Sequence, residues 1–209
     1  MDKKLAAVIV ETRDLPYLRC IIEEHIDKLP DYTDLIIYHS TANEFLKLLF
    51  PKAIFRLIEN EILNEQAYNI MLTTASFWDG LIDYDKVLIF QHDSMILRKG
   101  IEEFYHLDYV GAAWKFQPYM GGNGGLSLRN PKIMKLICLQ NNYRIALGNE
   151  DLFFVNIMIN NEIGILASIE DCDRFSVETK FTLGSFGYHA IEKHLTEQEV
   201  IKIKNQYNC

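Results

Sequence analysis

The chain has 209 residues, and its 21 lysine and arginine residues against 29 aspartate and glutamate residues give a formal charge of −8. This acidic balance repels a phosphate backbone, which argues against DNA or RNA as the main partner. The apolar fraction of 49% and the charged fraction of 24% are typical of a folded globular domain and exclude a disordered chain. We therefore expect one domain over residues 1–209.

The sequence predicts neither a secretory signal nor a membrane-spanning segment. Its early apolar run, Leu5–Val10, is short and meets charged residues directly, and no uncharged stretch approaches the roughly 18 residues that a membrane span needs. The cysteines are scattered without a C-x-x-C pair, which is typical of a reducing compartment. We expect a cytoplasmic location, and contact with the inner face of the cytoplasmic membrane stays open.

The first half of the chain alternates strands with helices. Apolar runs and helical spacing predict a strand at Leu5–Val10, a helix from Leu18 to Leu29, a strand at Leu35–Tyr38, a helix from Asn43 to Phe50, a strand at Ala53–Ile58, a helix from Glu65 to Ile82 and a strand at Val87–Phe90. This alternation favours a parallel α/β sheet. Ligands bind beyond the carboxyl ends of such strands, which draws attention to residues 11–14, 39–40 and 91–94.

The second half is less regular. It predicts a strand at Tyr109–Trp114, a glycine-rich loop at Met120–Gly125, a strand at Leu126–Arg129, a helix from Lys132 to Gln140 opened by Asn130 and Pro131, a helix at Leu152–Ile159, and a terminal helix with a capping box at Thr196–Glu199.

Asp93 follows the most hydrophobic predicted strand after only two residues. A carboxylate at the mouth of a sheet can hold Mg²⁺ or Mn²⁺ against a diphosphate. A strand-end aspartate that accepts hydrogen bonds from turn amides explains the same pattern, so the residue alone does not decide between the two.

The glycine loop and two later motifs are also candidates for a site. Glycines around Asn123 let the backbone approach a ligand closely, although the loop matches neither a Walker A loop nor a dinucleotide fingerprint. Glu150 and Asp151 precede an apolar helix, where they are either catalytic or simply favoured by the helix dipole. His189 lies in an aromatic context that suits a structural histidine as well as a ligand.

These motifs, in this order, resemble the GT-A glycosyltransferases, and within them a bacterial and fungal family described as a domain of unknown function with glycosyltransferase-like character. The matching stretches are VIVETRD at 8–14, YN at 68–69, FW at 77–78, FQHDS at 90–94, YVGAAW at 109–114, GNGGLSLRN at 122–130, NED at 149–151, FSVET at 175–179 and FGYH at 186–189. The resemblance implies a three-layer α/β/α sandwich around a mostly parallel, mixed sheet. It also implies a nucleotide-binding half over residues 1–94 and a donor-sugar and acceptor half over residues 95–209. It also implies a hexosyltransferase-type enzyme of polysaccharide biosynthesis.

The resemblance implies a metal site and a donor site. Asp93 and His189 correspond to the metal ligands for Mn²⁺ or Mg²⁺. Gln91 stands where the GT-A fold has the first aspartate of its D-x-D motif, and its amide brings no negative charge to the metal. Trp114 is either a stacking wall beside the donor or a core residue. The residues implied to bind the nucleotide-sugar, expected to be a UDP-sugar, are Glu11, Thr12, Arg13, Gln91, Asp93, Trp114, Asn123, Gly124 and Gly125.

The resemblance also implies an inverting reaction. Asp151 would take the proton from the acceptor hydroxyl as general base, with Glu150 turned toward donor or acceptor hydroxyls. The acceptor is expected to be a saccharide or a glycolipid. Two alternatives stay open: a non-catalytic nucleotide-sugar-binding module, suggested by Gln91, and a sugar-phosphate nucleotidyltransferase, for which Arg13 is the candidate cation.

Overall fold

The strands form two sheets in the structure, a computed structural model that describes residues 4–59, 63–117, 120–143 and 148–206. The strands are β1 (Leu5–Val10), β2 (Thr33–His39), β3 (Ile54–Leu57), β4 (Lys86–Phe90), β5 (Ser94–Ile96), β6 (Tyr109–Val110), β7 (Leu126–Arg129), β8 (Ser176–Val177) and β9 (Gly187–His189). Among these described residues the large sheet has six strands in the order β3-β2-β1-β4-β7-β6, and the small sheet has the order β5-β9-β8.

The large sheet is mostly parallel and mixed. Strands β3, β2, β1 and β4 pair in parallel, while β7 lies antiparallel to both β4 and β6. The apolar run of β4 is buried along its whole length, as expected for a strand in the middle of a covered sheet. In the small sheet, Ser94 pairs with His189, so the segment after β4 lies beside a residue almost a hundred positions later.

Helices cover both faces of the large sheet. They are α1 (Leu18–Lys28), α2 (Leu46–Leu49), α3 (Glu65–Leu72), α4 (Ala75–Asp79), α5 (Pro131–Gln140), α6 (Glu150–Asn161), α7 (Ile169–Phe175), α8 (Ile191–His194) and α9 (Glu197–Asn205). Alternate residues of β1 enter opposite cores: Leu5 packs in the cluster that contains Ile22 of α1, whereas Val8 packs in the cluster that contains Trp78 of α4 and Phe154 of α6. The predicted three-layer α/β/α sandwich is confirmed.

Several local predictions are confirmed. Strands β1 and β7 have the predicted bounds. Asn130 caps α5 through its side chain, with Pro131 at the first helical position. The Thr196 and Glu199 side chains form the predicted capping box of α9.

Two predicted helices and one predicted strand are shorter than expected. The helix predicted from Glu65 to Ile82 is two helices, because Thr73 and Thr74 between them bond their hydroxyls to the carbonyls of Asn69 and Ile70. The helix predicted from Asn43 to Phe50 consists of a short 3₁₀ turn followed by α2.

The strand predicted at Tyr109–Trp114 ends at Val110. Beyond it the Ala112 carbonyl accepts hydrogen bonds from the backbone N–H groups of Gly122 and Asn123, at 2.9 and 3.1 Å. The segment therefore pairs with the glycine loop instead of continuing along β7. Strands β5, β8 and β9 and helices α7 and α8 are not among the predicted elements.

Within the part of the chain that the structure describes, no helix is both long and apolar enough to cross a membrane.

Replacement of a leucine in β4 should be much more costly than the same change on the surface. Leu88 is fully buried, whereas Leu48 of α2 is 85% exposed. We expect Leu88→Ala to lower the free energy of unfolding by about 2–5 kcal/mol, since it removes buried methyl groups and leaves a cavity. Leu48→Ala should change it by less than about 0.5 kcal/mol. Urea unfolding measures both, and equal losses in the two variants would contradict the assignment of β4 to the core.

Candidate active site

A cleft of about 740 Å³ lies beyond the carboxyl ends of β1 and β4. The segments that line it are residues 11–13, 91–92, 123–125 and 149–151, together with Glu178 and His189. These segments include the residues after β1 and β4 to which the sequence analysis drew attention. The segment after β2 does not line the cleft among the described residues. Instead the Ser40 hydroxyl donates a hydrogen bond to the Thr12 carbonyl at 2.6 Å. This bond fixes the loop after β1, which does line the cleft.

The loop after β1 carries a closed ion pair. The Arg13 guanidinium donates to both carboxylate oxygens of Glu11, from Nε at 2.8 Å and from a terminal nitrogen at 2.7 Å. Burial of Glu11 would raise its pKa, but the contacts with Arg13 lower it, so the pair is charged. Thr12 accepts a hydrogen bond from the Leu63 backbone through its hydroxyl. All three residues line the cleft.

Three candidate metal ligands meet at one edge of this cleft. His189 Nε2 lies 3.2 Å from Asp93 Oδ1 and 3.1 Å from Gln91 Oε1. On the other side of the ring, His189 Nδ1 lies 3.2 Å from Glu178 Oε1. Burial alone would lower the pKa of His189, but the carboxylates of Asp93 and Glu178 raise it to about 9.

This donor set fits a divalent cation. Adjacent ligands of an octahedral ion with bonds near 2.1 Å stand about 3 Å apart, which is close to the separations around His189. Asp93 Oδ1 is buried and has no well-aligned hydrogen bond. Glu178 would orient the imidazole from behind, as a carboxylate behind a metal-bound histidine does. Among the described residues, no three His, Cys, Asp or Glu side chains form a cluster that could hold a metal ion, so a cation here would need the Gln91 amide oxygen as its third donor.

Lys193 forms an ion pair with Asp93 and would compete with a metal cation for this carboxylate. Its Nζ lies 2.6 Å from Asp93 Oδ2. Burial of Asp93 would raise its pKa, but His189 and Lys193 hold it well below the usual range. The second oxygen of Asp93 is thus already bound to a cation that the chain itself provides.

The glycine loop joins this cluster to the acidic pair. The Gly125 carbonyl accepts a hydrogen bond from the Gln91 backbone at 2.9 Å, and the Gly124 N–H donates to Asp151 Oδ2 at 3.1 Å. A Cβ on Gly125 would overlap the His189 ring, and one on Gly124 would overlap the Glu150 carboxylate. Both glycines are therefore needed for close approach.

Asp151 is a buried carboxylate at the start of α6. Its oxygens accept backbone hydrogen bonds from Gly124 and Leu152. Burial, and then the neighbouring charge of Glu150, raise its pKa to about 7. A carboxylate with this pKa is poised to exchange a proton near neutral pH.

The carboxylate of Glu150 does not face the groups that we expected. We expected its carboxylate to face donor or acceptor hydroxyls, but both of its oxygens bind the Arg129 guanidinium, at 2.6 and 2.7 Å. Arg129 is fully buried, and a buried guanidinium requires a counter-charge. Glu150 lines the cleft, but its charge serves this ion pair.

Trp114 is not brought to the site. It is 3% exposed, packs in the core that contains Trp78, and stacks on Phe116 with ring centroids 5.8 Å apart. Its indole fills space between layers, which is the core alternative left open by the sequence.

The cleft also contains residues to which the sequence gave no role. Tyr68 and Asn69 of α3, Glu178 after β8, and Lys193 of α8 all line it. The YN and FSVET stretches were visible in the sequence, but they carried no chemical pattern that would have assigned these roles. Lys193 had no such signal.

Two solved structures have the same fold. The apo-form glycosyltransferase GlyE of Streptococcus pneumoniae TIGR4 is 12% identical with a TM-score of 0.52, and the match covers 95% of this chain and 59% of GlyE. The mannosyltransferase PcManGT of Pyrobaculum calidifontis, in complex with GDP-Man and Mn²⁺, is 10% identical with a TM-score of 0.52, over 78% of this chain and 54% of PcManGT. The chain thus spans less than two thirds of either neighbour. Its fold is the GT-A fold of glycosyltransferases.

The family follows from the sequence match. The model of a family described as a protein of unknown function, DUF5672, matches residues 52–189. The chain belongs to this family. No curated protein matches it.

Asp151 should impose a pH dependence on stability. Its pKa of about 7 in the folded protein lies above the ordinary value of 3.8, so between these values the folded protein keeps a proton that the unfolded chain releases. This contribution makes the protein less stable as the pH rises from about 4 to about 7. We expect Asp151→Asn to gain stability relative to the wild type over this window, with a constant difference above it. Urea unfolding at a series of pH values measures this, and the exposed Asp31→Asn serves as control. A difference that is independent of pH would contradict the raised pKa.

Proposed function

We propose that this protein is a metal-dependent glycosyltransferase that moves a sugar from a nucleotide-sugar donor to an acceptor hydroxyl. The observation that carries this proposal is a buried carboxylate with a pKa near 7, Asp151, that lines the same cleft as Gln91 and His189, with Asp93 Oδ1 3.2 Å from the His189 ring. The shared fold with two glycosyltransferases supports it.

The donor nucleotide would bind at the end of β1. Glu11, Thr12 and Arg13 line this part of the cleft, where a base and ribose would meet the Glu11–Arg13 ion pair and the Thr12 hydroxyl. Asn123, Gly124 and Gly125 would lie along the donor sugar and diphosphate, where the missing side chains leave room. On this proposal, residues 1–94 provide the nucleotide-binding part of the site and residues 95–209 provide its donor-sugar part.

Gln91, Asp93 and His189 would hold Mn²⁺ or Mg²⁺. When bound, such an ion neutralises the negative charge that develops on the departing nucleoside diphosphate. Glu178 keeps the His189 imidazole in place through Nδ1, and Asn123 Nδ2 donates to the same Glu178 oxygen at 2.8 Å. Gln91 lacks the charge of the first aspartate in the D-x-D motif of the GT-A fold, so this site would hold its ion with one negative charge fewer.

Asp151 would accept the proton of the acceptor hydroxyl. Its ionised form is available near neutral pH, and the hydrogen bonds from Gly124 and Leu152 hold the carboxylate in a fixed direction. Attack by the acceptor oxygen on the face opposite the leaving diphosphate inverts the anomeric configuration. Glu150 acts as a positioning residue, since its ion pair with Arg129 fixes the first turn of α6.

The two alternatives fare differently. A nucleotidyltransferase needs a free cation at the triphosphate, and Arg13 is already paired with Glu11. A non-catalytic module is favoured by the contact of Lys193 with Asp93, which places a protein cation where a metal would bind. Metal binding and transfer activity separate this second alternative from the enzyme.

Metal binding should depend on Asp93 and His189. We expect Asp93→Asn and His189→Ala to weaken Mn²⁺ binding by more than about tenfold, because each removes a donor atom from a small set. The matched control is His106→Ala, since His106 is outside the cleft and bonds to the Glu103 carbonyl. Titration calorimetry measures the affinities. Equal Mn²⁺ affinity in all the variants would refute the site.

Transfer should depend on Asp151. A thermal-shift screen of UDP-sugars and GDP-mannose with Mn²⁺ first identifies the donor. We then expect Asp151→Asn to lower the rate of sugar transfer or donor hydrolysis by about 10²- to 10⁴-fold, the usual contribution of a general base, while the donor-induced shift persists. Asp31→Asn should keep full activity. Full activity in Asp151→Asn would remove the carboxylate from the mechanism, and donor binding without turnover in the wild type would favour the binding module.

A further inference from the structure

A second cavity of about 370 Å³ opens beside the cleft, and we call it the side pocket. Its volume is within the usual range for small-ligand sites. It is lined mainly by amide and carboxylate side chains and by one aromatic ring: Asn64, Glu65, Gln66, Asn69, Asn149 and Tyr143. We infer that the side pocket binds the acceptor and that the acceptor is an uncharged saccharide; this inference rests on the function proposed above.

The side pocket is continuous with the cleft. Asn64, Asn69 and Asn149 line both cavities. Asn149 directly precedes the acidic pair, and Asn69 Oδ1 accepts a hydrogen bond from the Glu150 backbone at 3.1 Å. A molecule in the side pocket therefore contacts Asn149, which lines the cleft together with Asp151, two positions further along the chain.

The lining chemistry matches sugar hydroxyls. Amide side chains both donate and accept hydrogen bonds, as hydroxyl groups do. Among the described residues that line the side pocket there is no lysine or arginine, and Glu65 adds a negative charge. This described lining offers an anionic ligand a negative charge and no counter-charge, which favours a neutral saccharide over a nucleotide or a phosphorylated acceptor.

Tyr143 provides a fixed aromatic wall. Its hydroxyl donates to the Gly148 carbonyl at 2.7 Å, and its ring packs edge-on against Phe153 with centroids 5.5 Å apart. Both ends of the side chain are thus held before any ligand arrives. A fixed ring with an apolar face suits the C–H face of a sugar while neighbouring amides bind its hydroxyls.

Binding of labelled protein to an array of neutral oligosaccharides tests this inference. We expect the wild type to bind at least one saccharide and Tyr143→Ala to lose that binding by about tenfold or more, because the aromatic wall is gone. Asn149→Ala is a second variant that should weaken binding. We expect this variant to fold, because the Asn149 side chain makes no capping hydrogen bond to α6.

The matched control is Tyr32→Ala, because Tyr32 is exposed and contacts Glu102 and Tyr105 instead of the cleft. It should bind the array as the wild type does. Melting curves of each variant show whether it is folded. A parallel arm measures flotation with phosphatidylcholine vesicles that carry or lack a neutral glucosyl lipid, which distinguishes a free saccharide from a glycolipid head group.

The melting shift with Mn²⁺ and the donor identified above separates this inference from the proposed function. If the side pocket serves the acceptor alone, Tyr143→Ala keeps the donor-induced shift and loses saccharide binding. Saccharide binding that survives in folded Tyr143→Ala and Asn149→Ala overturns the inference and leaves the glycosyltransferase proposal intact. So does a wild type that binds the donor but no neutral saccharide in either arm. Saccharide binding through Tyr143 without any donor binding supports the pocket and counts against the proposed enzyme.

Discussion

The arrangement of the site depends on one buried ion pair. The Arg129 guanidinium has no exposed surface, and it lies 4.7 Å from the Tyr109 ring centroid and 5.6 Å from that of Phe154. Such a charge is tolerated in a protein interior only when a counter-ion and hydrogen bonds satisfy it. Glu150 supplies both, and the Ser127 hydroxyl accepts from Arg129 Nε. The pair therefore joins β7 to the first turn of α6.

This junction has electrostatic consequences for its neighbour. Because Glu150 has to face inward to reach Arg129, Asp151 is held against the glycine loop, where it is largely shielded from water. The guanidinium lies nearer to Glu150 than to Asp151, so the burial of Asp151 is only partly compensated. One interaction thus anchors a helix and leaves a carboxylate with a proton affinity suited to neutral pH.

The frame of the fold and much of the candidate site could be predicted from the sequence because their signals are local. The apolar runs of β1 and β4 identify buried strands, and residues that follow such strands belong at the ligand-binding edge. Strands β8 and β9 have two and three residues, which is too few to show a period. The division between α3 and α4 depends on two threonine hydroxyls that could equally have pointed to solvent.

Partners that are distant in the sequence could not be predicted. Nothing near Glu150 indicated that Arg129 would claim both of its oxygens, and Lys193 reaches Asp93 from a hundred residues away. Trp114 has an aromatic side chain that could stack on a ligand. The path of the chain after β6 decides whether its indole faces a ligand or the core. These choices are made by tertiary packing.

The contact between Gly125 and His189 has a consequence for how this sequence can vary. The imidazole occupies the volume that a side chain at position 125 would need, so the two positions share one space. A larger residue at 125 forces the ring away from Asp93, and a small residue at 189 removes the reason for the glycine. Through natural drift or laboratory evolution, these two positions should change together or not at all, although 64 positions separate them in the chain.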